Sequence, residues 1–351
     1  MVWIAALGLL LWYGGGWLNW PRGLRLALLG VLALAVVLVQ TTLPETHGLR
    51  AATGSLRAWS VVALSAALMA GYGVAVQRLR KRAKVPAAAA KPATPARFSE
   101  EELNRYARHI MLREIGGPGQ KALKNARVLV IGAGGLGSPA LLYLAAAGVG
   151  TIGVIDDDVV DASNLQRQVI HADARLGMPK VFSAEIAMKA LNPHITVRPY
   201  KRRLDAETAA GLFADFDLIL DGSDNFDTRY LANRVAVAAG KPLIAAAITQ
   251  WEGQIALYDP ARGGACYECV FAERPAPGLV PTCAEAGVMG ALPGILGAMM
   301  AAEAIKAIAG AGETLRGRLM IYDALYADAR VMRTAPRADC PACSGRGIAA
   351  G

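Results

Sequence analysis

The residues best suited to chemistry lie in the later part of the 351-residue chain, and the densest group surrounds a glycine loop. Arg127–Ile131 (RVLVI) is a short β-branched run that leads directly into Gly132-Ala133-Gly134-Gly135-Leu136-Gly137. In such a loop Gly132 permits the tight turn and Gly134 lets backbone N–H groups approach a phosphate. Gly137 lets the next helix pack closely, and that helix's N-terminus favours the anion. Asp156 follows at about the spacing, ~20 residues, at which an acid binds ribose hydroxyls. A glycine turn with no ligand is the plain alternative, and the strand–loop–helix–strand–acid context argues against it. The pattern fixes a nucleotide without fixing the chemistry, because NAD and ATP both suit it.

Three polar groups accompany the loop. Asp161–Gln168 (DASNLQRQ) carries Ser163, Asn164, Leu165, Gln166 and Arg167 after the second strand, Lys180 opens a helix, and Asp221–Asn225 (DGSDN) closes another strand. Ligands bind at the carboxyl ends of strands in such sheets. There an Asp holds Mg²⁺ on phosphates, while Arg and Lys neutralise a leaving pyrophosphate. Taken singly, each residue reads as a helix cap or a solvated charge. His47, His109, His171 and His194 do not cluster, and we expect them to be structural or surface residues.

Four cysteines form a second signal, Cys266-x-x-Cys269 and Cys340-x-x-Cys343. Paired thiolates at this spacing span two corners each of a Zn²⁺ tetrahedron. A closed four-Cys site has no open position, so its expected role is structural. Unrelated reduced thiols or a redox CxxC are the alternatives. Cys283 stands outside both pairs in a Pro/Gly-rich stretch, where it is either a nucleophile or an inert thiol.

These residues must be positioned by strands and helices. Strands are expected at 127–131, 151–155, 195–199, 218–220, 243–247, 254–258 and 319–322, with helical stretches such as Ser138–Ala147, Pro179–Leu191 and Asn225–Ala239 between them. That alternation predicts an α/β, Rossmann-like, doubly wound and mainly parallel sheet, here with a zinc-stapled C-terminal part.

The first quarter of the chain is different. Formal net charge is +9, from 37 Lys+Arg and 28 Asp+Glu. Eleven of those basic residues and a single acid, Glu45, fall in residues 1–97, so the remainder is close to neutral and offers no case for nucleic acid. The apolar fraction of 54% excludes a disordered chain. Val2–Trp20, Leu26–Leu43 and Ala58–Val76 lack charge, and each is roughly 27–29 Å long as a helix, close to the ~30 Å hydrocarbon core. The expectation is three transmembrane helices in 1–76, a basic Ala/Pro-rich linker at 77–97, and a catalytic domain at 98–351. Arg22, Arg25 and the basic run Arg78–Lys84 place the N-terminus outside and the domain in the cytoplasm. The expected location is therefore the cell inner membrane, multi-pass.

From Phe98 to Gly347 the chain resembles the ubiquitin-activating-enzyme superfamily, in its MoeB/ThiF/HesA branch. The resemblance rests on RYARHIML at 105–112, GAGGLGSP at 132–139, SNLQRQ at 163–168, GMPK at 177–180, SDN at 223–225, TCAEAGVMG at 282–290 and both CxxC pairs. It implies an adenylyltransferase that uses MgATP to activate the C-terminal glycine of a small ubiquitin-like (β-grasp) sulfur-carrier protein. Gly132, Gly134, Gly135 and Gly137 would then line the phosphates, and Asp156 would bind the ribose. Asn164, Arg167 and Lys180 would hold the triphosphate, and Asp224, beside Asn225, would bind Mg²⁺. Arg108 would reach into a partner subunit, implying a homodimer, and Cys283 matches a loop cysteine that some members use covalently. The chain ends soon after Cys343, so any sulfur is expected from a separate sulfurtransferase. An NAD-dependent oxidoreductase and a non-catalytic membrane scaffold are the competing readings. The oxidoreductase leaves SNLQRQ, Lys180, SDN and the cysteine pairs unexplained, and a scaffold would be favoured by loss of Arg167, Lys180 or Asp224, all of which are present.

Overall fold

The computed structural model describes residues 2–18, 20–44, 46–55, 59–61, 65, 68–69, 71–73, 98–275 and 286–344. The chain divides into two compact units, Met1–Ala93 and Thr94–Gly351. The linker at 77–97 and Cys283 lie outside the described residues.

In the first unit, α1 (Val2–Trp17) packs on α2 (Arg22–Thr42), and a short α3 (Gly48–Thr53) follows. Arg25 lies over the Trp12 ring, 5.3 Å from its centroid. Gln40 donates to Thr53 Oγ1 and to the Gly54 carbonyl, both at 2.6 Å, closing the turn after α2. The expectation of three membrane spans is not supported. Among the described residues of this unit, only Gly23–Thr42 is long and apolar enough to cross a bilayer. The α1 helix has 16 residues, about 24 Å of rise, and stops short of the ~30 Å core. The third expected segment lies partly outside the described residues. Among the described residues one other helix passes the same length-and-composition test, Leu292–Ala309, and it is a core helix of the second unit.

That unit begins with α4 (Glu100–Ile110), started by a reciprocal capping box between Ser99 and Glu102, and α5 (Gly116–Asn125). The sheet then builds from β1 (Arg127–Ile131), α6 (Gly137–Ala147), β2 (Thr151–Ile155), α7 (Lys180–Leu191), β3 (Thr196–Tyr200), α8 (Ala206–Ala214), β4 (Leu218–Asp221), α9 (Phe226–Ala239) and β5 (Leu243–Ile248). After these come β6 (Glu252–Tyr258), α10 (Tyr267–Val270), α11 (Leu292–Ala309), β7 (Arg318–Asp323) and β8 (Asp328–Arg333).

The strand order is β3-β2-β1-β4-β5-β6-β7-β8. The first five strands are parallel and the last three antiparallel. This is the expected mainly parallel α/β sheet, extended by an antiparallel flap. Helices cover both faces. One core gathers Val128, Val130, Leu144, Ile152, Leu296 and Met300, and the other gathers Leu129, Phe213, Phe216, Ile219 and Tyr258. Alternate residues of β1 thus feed opposite cores, as the two-residue period of a strand requires. The order reverses between β1 and β4, and the carboxyl ends of the strands at such a reversal are where the ligand crevice of an open α/β sheet lies.

Candidate active site

The glycine loop sits at that reversal. Gly132 has φ +89° and its N–H donates to the Ile155 carbonyl at 2.9 Å. A Cβ on Gly137 would lie 1.9 Å from the Gly132 carbonyl oxygen, so the turn from β1 into α6 closes only with glycine there. Asp156 supports the loop from β2. Its Oδ2 accepts the Ala133 N–H at 2.8 Å and its Oδ1 accepts the Asp158 N–H at 2.9 Å. Burial pushes this carboxyl above its ordinary pKa, against the pull of the Ala133 N–H and Lys180. Each oxygen keeps a further lone pair for a hydroxyl donor.

The polar groups converge on the same loop. A Cβ on Gly132 would come within 3.2 Å of the Gly222 carbonyl, so the 221–225 turn lies beside it. A Cβ on Gly135 would lie 3.7 Å from Arg167 Cγ, and one on Gly134 would lie 3.6 Å from Gln168 Nε2. The 163–168 segment therefore forms another wall. Its short 3₁₀ turn, Ala162–Asn164, is capped by Asp161, which accepts from the Ser163 N–H at 2.8 Å. Arg167 donates to Asn164 Oδ1 at 2.7 Å. Gln166 underlies the Gly290 end of the following loop, where a Cβ would meet its carbonyl oxygen at 2.8 Å.

Lys180 opens α7 as expected. It is buried, with its Nζ 2.8 Å from Asp158 Oδ2 and its N–H on the Asp158 carbonyl. Asp224 is exposed, and among the described residues no hydrogen bond or ion pair holds its carboxylate. Asn225 caps α9, accepting from the Thr228 N–H at 2.9 Å.

Two expected residues lie elsewhere. Arg108 lines a small cavity with Arg105, His109, Tyr143, Ala146 and Ala147, at the C-terminal end of α6. That is the end of the helix opposite the glycine loop, so Arg108 does not join its own chain's crevice. Cys283 lies outside the described residues.

Four further residues lie inside the motifs read from the sequence, which gave them no individual role. Ser138 Oγ, Gln168 Oε1, Asp221 Oδ2 and Ser223 Oγ are buried without a hydrogen-bond partner among the described residues. They belong to the first turn of α6, the 163–168 wall and the 221–225 turn around the glycine loop. Buried polar atoms are otherwise nearly always satisfied, so this cluster is fitted for polar ligand or water atoms. His171, expected to be structural or on the surface, is buried with Nε2 2.9 Å from the Ala133 carbonyl oxygen. No local signal marks it, because the two residues lie 38 apart in sequence.

The cysteines gather as expected. Cys266 and Cys269 flank the start of α10, Cys340 and Cys343 follow β8, and all four are buried with their sulfurs within 4.8 Å of one another. Sγ separations are 3.7 Å for Cys266–Cys269, 3.5 Å for Cys266–Cys340 and 3.4 Å for Cys269–Cys343. A zinc tetrahedron with ~2.3 Å bonds has edges of about 3.8 Å, whereas a disulfide needs ~2.05 Å. The donor set therefore fits zinc. Burial, with the Cys340 contact, pushes the Cys266 thiol up to about 12, a charge cost that a divalent cation removes. Asn233 of α9 donates to Cys266 Sγ at 3.7 Å and to Glu268 Oε1 at 3.1 Å, and Arg234 clamps Glu268 through two bonds. The cluster thus ties α9, α10 and the C-terminal segment together, away from the crevice.

The ThiF family model matches residues 106–342, two-thirds of the chain and nearly all of its second unit. The chain belongs to the ThiF family. This member is 55% identical over 231 residues to the probable adenylyltransferase/sulfurtransferase MoeZ of Mycobacterium tuberculosis, covering 65% of this chain and 59% of MoeZ. It is 47% identical over 251 residues to the sulfur carrier protein adenylyltransferase of Thermus thermophilus, covering 70% and 93% of the two chains. Bovine MOCS3, an adenylyltransferase and sulfurtransferase, is 47% identical and matched over 55% of its length. The chain thus spans little more than half of MoeZ and MOCS3. Among solved structures, E. coli MccB with ATP superposes with a TM-score of 0.58 at 25% identity, covering 68% of this ThiF-family chain and 74% of MccB.

Proposed function

We propose that the protein is an ATP-dependent adenylyltransferase of the ubiquitin-activating type, acting on the C-terminal glycine of a small β-grasp sulfur-carrier protein. The observation that carries the reading is the convergence of Lys180, Arg167, Asp224 and the unpartnered polar atoms on one glycine loop, with no histidine placed to serve as a base. The carrier's carboxylate is already ionised at neutral pH, so no base is needed. One carboxylate oxygen attacks the α-phosphorus, a C–O–P bond forms, the Pα–O–Pβ bond breaks, and pyrophosphate leaves. Lys180 and Arg167 supply positive field to the phosphates, and Asp156 orients the ribose. Mg²⁺ bound through the exposed carboxylate of Asp224 would offset further phosphate charge.

The rest of the reading follows the same family. Arg108 lies beside the end of α6 opposite the glycine loop, which supports its service to a partner subunit and a homodimer. Zinc in the four-cysteine cluster is structural. The acyl-adenylate then serves sulfur transfer in a thiamine-, molybdopterin- or related pathway, with sulfur from a separate sulfurtransferase. Residues 1–76 hold the enzyme at the inner membrane with the domain in the cytoplasm. The apolar length of α2 supports attachment to a membrane, and the basic run Arg78–Lys84 ahead of the domain supports its cytoplasmic side.

The test is pyrophosphate exchange by the full-length protein in detergent. Label from pyrophosphate should enter ATP only when a carrier ending in Gly-Gly is added. Exchange with no tested carrier, or tighter binding of NAD than of ATP, would remove the proposal in favour of an oxidoreductase.

A further inference from the structure

The His171 side chain joins the glycine loop to α7. Its Nε2 lies 2.9 Å from the Ala133 carbonyl oxygen, and its Nδ1 lies 2.9 Å from Ser183 Oγ. A carbonyl only accepts, so Nε2 carries the proton, and Nδ1 accepts the Ser183 hydroxyl. Arg175 holds this frame by donating to the Ser183 and Ile170 carbonyls at 2.8 and 3.0 Å. His171 is 7% exposed and Ser183 fully buried.

The peptide that His171 grips is the one joining Ala133 to Gly134. In a trans peptide the C=O and N–H point to opposite sides. Drawing the Ala133 oxygen inward to His171 therefore turns the Gly134 N–H outward. Asp156 fixes the preceding peptide through the Ala133 N–H. Among the described residues, the N–H groups of Gly134 and Gly135 find no acceptor.

We propose that His171 is a positioning residue for phosphate binding: it locks the Ala133–Gly134 peptide so that the Gly134 N–H donates to a nucleotide phosphate. The inference rests on the nucleotide reading of the loop and not on the identity of the carrier. Burial, against the pull of the Ala133 carbonyl, brings the imidazole down to about 4, with Lys180 and Arg175 acting in the same direction as burial. The ring therefore stays neutral and keeps this tautomer through the physiological range.

The experiment compares equilibrium binding of ATP, NAD and adenosine to the full-length wild type and to His171→Phe, His171→Gln and Ser183→Ala. His171→Phe should weaken ATP roughly ten-fold while adenosine changes less than about two-fold, the loss of one charge-assisted donor. His171→Gln places an amide N–H near the Nε2 position and should recover most of the loss. Ser183→Ala loosens the imidazole and should weaken ATP about two- to three-fold, which keeps the test open if the Phe variant does not fold. Unchanged ATP binding, or equal weakening of ATP and adenosine, would overturn the inference. A wild type that prefers NAD would overturn the adenylation reading alone, and the same phosphate-selective loss would then be read on NAD.

Discussion

Lys180→Met should lower pyrophosphate exchange by about 10²–10³-fold while the protein stays folded, the size of effect expected when one group that stabilises developing charge is removed. The local geometry separates this from a structural role. Lys180 is buried, but its partner Asp158 has a side chain 67% exposed. Removing the ammonium therefore leaves Asp158 solvated, and methionine fills the stem's volume without a buried charge. The stability change should be about 1 kcal/mol, within the range of ion pairs that have one wet partner. Asp158→Asn provides the control. If the ion pair only braces α7 against β2, it should cost as much exchange as Lys180→Met. If Lys180 acts on phosphate, exchange should fall no more than about three-fold. Equal losses in the two variants would reassign Lys180 to the scaffold.

Much of the crevice was legible because its constraints are local. Gly132 and Gly137 are demanded by a φ of +89° and by a Cβ clash five residues apart, and both leave a mark in sequence. Lys180 and Asn225 fall at the starts of helices, where composition already points. The strands β1, β2, β4 and β5 were readable because their apolar runs are buried. The eighth, Asp328–Arg333, was missed because it is a largely exposed edge strand rich in charge, DARVMR, with pairing only to β7. Edge strands carry charge to deter further pairing, and that erases the hydrophobic signal. The part played by His171 was unreadable for another reason, as was the unpartnered oxygen of Asp221 inside a motif that the sequence did mark. Both come from contacts between distant segments, and no spacing rule encodes those.

The apolar helices show where composition stops deciding. Leu292–Ala309 and Gly23–Thr42 pass the same length-and-charge test. The first packs against α6, β5 and β6, with Leu296 and Met300 fully buried. Its apolar surface is taken up by protein. The second keeps Leu24, Val31, Leu34, Val37 and Leu38 exposed within its own unit, a face that lipid would cover. Apolar length alone does not distinguish the two fates. What separates them is the sheet that the first helix covers.

Cys340→Ser should abolish the bound metal and lower the melting midpoint by more than about 10 °C. Structural zinc in small domains contributes ~10–16 kcal/mol of apparent binding energy, and part of it becomes folding energy here. The argument rests on what the cluster joins. Cys266 and Cys340 stand 74 residues apart in sequence, so the metal closes a long loop around α11 and the β7–β8 hairpin. Its inner ligands are braced by Asn233 and Glu268, which reach α9, and α9 begins at the 221–225 turn of the crevice. Loss of metal should therefore free the C-terminal segment first and weaken nucleotide binding second. Metal content by emission spectroscopy should be about one zinc per chain, and a strong chelator should reproduce the variant's melting shift. If the purified protein carries no zinc and Cys340→Ser melts with the wild type, the sulfurs are reduced core thiols. Their 3.4–3.7 Å spacing would then be packing alone.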